Sequence, residues 1–202
     1  MDALELDTPA LYIDLDVLEH NIARMQQQCR AWGVELRPHV KTHKTPEIAQ
    51  MQLAAGAIGI TVAKVGEAEV LPGDDVLVAY PLLPAKLCDE ADCALRVLTT
   101  VVSTAVPGQC VIDAGSKTFS SDQTVGAGTF GHFVGRGRGW TMRKLNEEHG
   151  YVEIDGPVRV GEKVWAVPSH CCATVNLHDE IWYGRRGRVE GSWRVAARGK
   201  VR

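Results

Sequence analysis

No strong charge bias, no long apolar run, no internal repeat and no low-complexity tract marks this sequence of 202 residues. A formal charge of −3 and a pI near 6.2 exclude an overall basic field for gripping nucleic acid or an anionic membrane; such binding would need a local patch. No stretch approaches the roughly 18 uninterrupted apolar residues of a spanning helix. Residues 1–7 are acidic where a secretory leader is basic, so a cytoplasmic chain without membrane or nucleic-acid partners is the expectation. What is present is ordinary globular composition: 45% hydrophobic and 23% charged residues, with mean hydropathy of −0.09. The length suffices for one medium domain or two small ones. Six cysteines, at 29, 88, 93, 110, 171 and 172, could form disulfides, but without an export signal reduced thiols or metal ligands are expected.

The first part of the chain alternates in type. Residues 10–13 read as a short strand, and residues 17–32 carry Leu18, Ile22 and Met25 at spacings of four and three, an amphipathic helix pattern that Asp14 or Asp16 could cap. Residues 34–37 are a strand candidate that stops near Pro38, because proline cannot donate into a sheet ladder. Thr45, Pro46 and Glu47 supply an N-cap oxygen, a proline for the first helical position and an acid near the positive helix end, starting a helix to about residue 55. Residues 57–63 and 76–80 are apolar, β-branched runs typical of buried parallel strands, separated by a helix-compatible stretch at 66–71. Such alternation puts helices on a parallel sheet, with chemistry on the loops at the strands' carboxyl ends.

From residue 88 the texture changes to short β-rich runs, at 95–103, 110–112, 151–154, 163–167 and 193–195, split by glycine-containing loops. Formal charge shifts from −5 over residues 1–87 to +2 over 88–202. A boundary at 87/88 therefore separates an α/β domain, 1–87, from a mostly β domain, 88–202.

The densest cluster of reactive groups runs from Arg37 through Pro38, His39, Val40, Lys41, Thr42 and His43 to Lys44. It lies between a predicted strand and a capped helix, where side chains point into the mouth of an α/β layer. An amine there is activated by desolvation and neighbouring cations such as Lys44, which makes Lys41 a Schiff-base candidate. A solvated basic loop is the competing reading, and composition alone does not choose between them.

The run RPHVKTHKTPEIA, residues 37–49, resembles the cofactor-lysine motif of the D-threonine aldolase and D-serine dehydratase family. DAGSKTFSSD, residues 113–122, and PSHCCATVNLHDE, residues 168–180, resemble motifs of the same family's C-terminal β domain, in the family's order. The resemblance implies an alanine-racemase-like barrel as the N-terminal domain and pyridoxal 5'-phosphate as cofactor. It implies that Lys41 carries this cofactor, with His39 beside it.

His170-Cys171-Cys172 is the second constellation. If residues 169–174 are extended, His170 and Cys172 share a face while Cys171 points away. Imidazole and thiolate together suit Zn²⁺ better than Mg²⁺ or Ca²⁺, and two protein ligands leave positions open for water and substrate. A buried histidine beside inert cysteines is the alternative. The resemblance implies a metal pair at His170 and Cys172, taking Zn²⁺ or another divalent metal.

The implied function is a lyase on small D-3-hydroxy amino acids. Lys41 would hold the cofactor and serve as base for the Cα proton, with His43 as a nearby acid/base candidate, while the metal would bind the substrate hydroxyl. Cysteine rather than aspartate at 172 favours a D-serine dehydratase-like reaction, giving pyruvate and ammonia, over D-threonine aldolase cleavage to glycine and an aldehyde. The family also implies a homodimer.

Length argues against full activity. A complete (β/α)₈ barrel takes about 250 residues, whereas the α/β texture here ends at 87, with about three of eight strands. After residue 83 the resemblance passes directly to the β domain, and no glycine-rich phosphate cradle stands in residues 65–90. Impaired catalysis is expected, and a non-catalytic remnant or interaction protein is the alternative.

Other signals are weaker. Gly126, Gly128 and Gly131 fit G-x-G-x-x-G, but without a strand before or a helix after, so a dinucleotide site is rejected. Cys88 and Cys93 lack a second pair at zinc-ribbon spacing. The basic tail from residue 183, interleaved with aromatics, is expected to be a solvated edge of the β domain rather than a nucleic-acid surface.

Overall fold

The computed structural model describes residues 1–73, 75–78, 90–124 and 127–200. Strand β1 (Ala10–Asp14) leads into helix α1 (Leu15–Ala31). Asp14 is the cap: its carboxylate accepts from the amides of Asp16 and Val17 at 3.0 and 3.2 Å. Helix α2 (Pro46–Ala54), strand β2 (Ile60–Val62), the short α3 (Val65–Ala68) and strand β3 (Val76–Val78) follow.

The remaining elements are β4 (Leu95–Ser103), β5 (Gln109–Ile112), α4 (Ser116–Phe119), β6 (Gly131–Phe133), β7 (Thr141–Leu145) and β8 (Gly150–Glu153). After them come β9 (Lys163–Pro168), α5 (Cys171–Leu177), β10 (Glu180–Arg185) and β11 (Arg188–Arg194).

The expected pairing of an α/β part with a β-rich part holds, but the strands are shared out differently. β1 forms as expected yet joins the β half, lying parallel to β10 and antiparallel to β4. It belongs to a nine-stranded sheet, in the order β11-β10-β1-β4-β5-β8-β7, with β9 on β4 and β6 on β9. The strand expected at 10–13 within the α/β part thus pairs with strands of the β-rich part. The barrel fragment keeps the parallel pair β2–β3. Residues 34–37 form no strand; beside β2 the chain makes a single parallel bridge, His39 to Thr61. There Thr61 donates to the Pro38 carbonyl at 2.7 Å and Val40 to the Thr61 carbonyl at 2.8 Å. The 87/88 boundary and residues 79–80 lie outside the described residues.

Two cores result. The large one fills the β half with Leu11, Val97, Ile112, Phe119, Phe133 and Met142, among others. The small one joins Val40, Ala49, Ile60, Val62 and Leu71 to Ala197 of the C-terminal segment. Ile48 belongs to the large core and its neighbour Ala49 to the small one, so α2 is the seam between them. Gly59 allows a close approach before β2: a Cβ there would sit 2.3 Å from the Asp75 carbonyl oxygen, where the Arg37 guanidinium also lands.

In the tail, Tyr183 and Trp193 stack on each other at 4.1 Å, and Arg185 pairs with Asp16 and Glu19 of α1. β11 stands at the end of the sheet order. Gly131 opens strand β6, and Gly126 lies outside the described residues. Cys29, Cys110 and Cys172 are free thiols. No helix among the described residues is long and apolar enough to cross a membrane.

Candidate active site

Residues 39–45 turn sharply between the backbone beside β2 and the start of α2. Lys44 adopts a left-handed conformation (φ 52°), and its amide donates to the Val40 carbonyl at 2.9 Å. Two histidines brace the turn: the amide of Lys41 donates to His39 Nδ1 at 3.3 Å, and that of Thr45 to His43 Nδ1 at 3.2 Å. Thr45, expected to cap α2 with its side chain, instead donates its hydroxyl to the His43 carbonyl at 2.6 Å.

One cleft of about 290 Å³ gathers Lys41 and Lys44 from this turn, Lys64 and Glu67 from the segment after β2, His170, Cys172 and Asn176 around α5, and Lys200. The sequence-predicted residues thus divide. Lys41, His170 and Cys172 come together, although well over a hundred positions separate the first from the other two. Thr42 makes the join: its Oγ1 lies 3.4 Å from Cys172 Sγ. His43 is not in the cleft lining. Its ring is buried, with Nε2 making no hydrogen bond among the described residues, and burial pulls its pKa down to about 4 against the opposing contacts with Gln52 and Thr45. At neutral pH it is an uncharged brace.

The extended conformation expected for residues 169–174 is not what forms. His170 is the N-cap of α5, with φ −138° and ψ 93°, and Cys172 is already helical. Both side chains reach the cleft because the backbone bends at His170 rather than because alternate residues share a strand face. α5 is fixed against α4: Thr174 Oγ1 donates to the Phe119 carbonyl at 3.1 Å, and His178 Nε2 meets the Thr118 carbonyl at 3.3 Å. This packing brings Asp122 onto His170 Nδ1.

Asp122 is the functional neighbour that sequence reasoning passed over. It stood inside the DAGSKTFSSD motif, but its partner could be known only from the fold. A carboxylate on one imidazole nitrogen fixes the ring and leaves Nε2 for a cation, the arrangement common among metal-binding histidines. Among the described residues no group of three or more His, Cys, Asp or Glu side chains converges. By its chemistry an imidazole and thiolate pair suits a borderline-soft divalent cation, and these two donors alone do not make a closed structural site. For an aldehyde cofactor, the Lys41 amine lining a cationic cleft is the fitting group.

Comparison with known proteins matches two family models to overlapping parts of the chain. The putative serine dehydratase domain model matches residues 94–183, and the alanine racemase N-terminal domain model matches residues 13–107. D-threo-3-hydroxyaspartate dehydratase of Delftia sp. (strain HT23) is 46% identical over 110 residues, 50% of this chain and 29% of that enzyme, so the match spans less than a third of its length. An uncharacterized protein of Mycobacterium tuberculosis is 36% identical over 120 residues, 56% of this chain and 90% of that protein. Among solved structures, D-threonine aldolase from Filomicrobium marinum superposes with a TM-score of 0.79 at 21% identity, over 98% of both chains, a likeness of fold.

Proposed function

Because the chain belongs to the D-threonine aldolase and D-serine dehydratase family, we propose that it is a lyase-type protein for D-3-hydroxy amino acids, built to use pyridoxal 5'-phosphate and zinc. The observation that carries this reading is the shared cleft: Lys41 of the barrel fragment and the His170–Cys172 pair of the β half face one another across the Thr42 to Cys172 contact.

When bound, the cofactor ring accepts the electrons released at Cα and the cation draws charge from the β-hydroxyl. Lys41 would hold the aldehyde, and its amine would serve as base for the Cα proton. His170 and Cys172 hold the cation, and Asp122 keeps the imidazole oriented. Thiolate at 172 favours zinc and loss of the hydroxyl group, which makes D-serine, yielding pyruvate and ammonia, the proposed substrate. The barrel fragment contributes only β2, β3 and the His39 bridge among its described residues, so turnover is slow. The chain works within a homodimer in the cytoplasm.

Incubation with pyridoxal 5'-phosphate, borohydride reduction and peptide mass spectrometry should find a pyridoxyl adduct on Lys41 that disappears in Lys41→Ala. Bound zinc, measured by atomic emission after gel filtration, should be lost in His170→Ala. Absence of the adduct sinks the lyase reading and leaves a non-catalytic member of the family.

A further inference from the structure

The cleft holds more positive charge than one aldehyde-capturing amine requires. Four lysines line it, Lys41, Lys44, Lys64 and Lys200, in a chain of net charge −3. Glu67 is the acid among the lining residues, and it is engaged elsewhere. One carboxylate oxygen lies 3.1 Å from Lys44 Nζ, and the other accepts the Ala63 amide at 2.8 Å. Lys44 also donates to the Ala197 carbonyl at 3.4 Å. Lys64 and Lys200 make no ion pair with any described residue, so among the described residues two ammonium groups from distant parts of the chain line the cleft without a carboxylate partner.

Their placement has a structural cause. Lys64 follows the carboxyl end of β2, the end at which parallel α/β layers bind ligands. Lys200 is carried in by the C-terminal segment, which is fastened to the Lys41 turn by a second bond from the Ala197 amide to the Lys44 carbonyl, at 3.1 Å. Like charges gathered in a confined cleft repel one another, and an anion relieves that repulsion.

We propose that Lys64 and Lys200 form a phosphate subsite, taking the phosphate ester of pyridoxal 5'-phosphate while the Lys41 nitrogen bonds its aldehyde carbon with loss of water. Lysine serves as a point charge for phosphate, and two of them match a dianion where a carboxylate needs one. The subsite rests on the lyase reading for its ligand, but it is measurable without it.

The test compares pyridoxal 5'-phosphate with pyridoxal by titrating the Lys41 adduct after borohydride trapping. Free pyridoxal closes on its own hydroxymethyl group, so the quantity read is the change in the ratio of half-saturation concentrations between proteins. Lys64→Gln combined with Lys200→Gln should raise half-saturation for the phosphate ester about tenfold and leave pyridoxal within about twofold. An unchanged ratio overturns the subsite.

Inorganic phosphate binding to Lys41→Ala protein, followed by ³¹P line broadening, supplies a reading independent of the aldehyde. Broadening that vanishes with the two glutamine substitutions supports the subsite. No broadening, broadening indifferent to them, or equal competition by acetate at matched ionic strength overturns it. If phosphate binds through these lysines while neither aldehyde is trapped at Lys41, the subsite stands and the lyase reading falls.

Discussion

The two halves of the molecule bury different kinds of polar group. In the β half the buried polar residues are threonines, neutral and satisfied. Thr99 donates to Asp113 at 2.6 Å, and Thr174 reaches the carbonyls of Phe119 and His170. Asp113 itself accepts from the Thr8 hydroxyl and the Thr100 amide. The barrel fragment buries threonines too, Thr45 and Thr61, but beside them it shields ionisable groups: Lys44, Glu67, which is 2% exposed, and Nε2 of His43. Hydroxyl-to-carboxylate bonds knit a sheet at little cost, whereas a buried ion pair must repay the loss of hydration of both charges. The β half is therefore the stable platform, and the barrel fragment gives up stability to hold a turn in an unusual shape beside the cleft.

The largest expected effect breaks the platform. Phe133, fully buried and packed edge-on against Trp140 at 5.3 Å, anchors β6 to the large core. Phe133→Ala should cost about 3–5 kcal/mol and lower the urea midpoint of the whole chain, because the barrel fragment has no comparable core of its own. A loss confined to residues 39–78 in hydrogen exchange would contradict this ranking.

Removing Glu67 should act locally. Glu67→Ala leaves the Lys44 ammonium in a site with its side chain only 11% exposed, a loss of about 3 kcal/mol. Hydrogen exchange should quicken at the amides of Lys44, Ala49 and Ala197, which sit around the pair, while β4, β5 and β8 keep their protection. Uniform acceleration across both halves would show the fragment and the platform to be one cooperative unit.

How far these halves could be read from the sequence depended on whether the deciding contacts were local. β4 spans the nine residues its β-branched run suggested, α2 starts where Pro46 puts it, and α1, expected over 17–32 with Asp14 or Asp16 as cap, starts at Leu15 with Asp14 as the cap. β6, β7 and β10 were not anticipated: they are short or interrupted by polar residues, and their pairing is set by distant strands. β1 was visible as a strand but not as a partner of β10, some 170 residues away, since periodicity carries no pairing information. In the site, Lys41 and the His170–Cys172 pair were legible as chemistry. Asp122, Thr42 and Glu67 acquire their roles only through contacts across the fold.

The smallest effect uses pH to separate the halves. Burial holds the His43 imidazole neutral in the folded chain, with a pKa of about 4 against an unfolded value near 6.5. Between these values the unfolded chain binds more protons, so stability is complete above about pH 6.5 and is lost as pH falls toward 4. At pH 5 the loss relative to pH 7 is about 2 kcal/mol, and His43→Gln should abolish that part of the slope. His178 of the β half, also pulled down by burial, contributes with the same sign, so part of the slope survives until both are replaced. If urea titrations of His43→Gln and the parent chain ran parallel from pH 7 to 5, the ring would have to be solvated in the folded state. The turn carrying Lys41 would then lack its neutral brace, and acid would threaten the two halves alike.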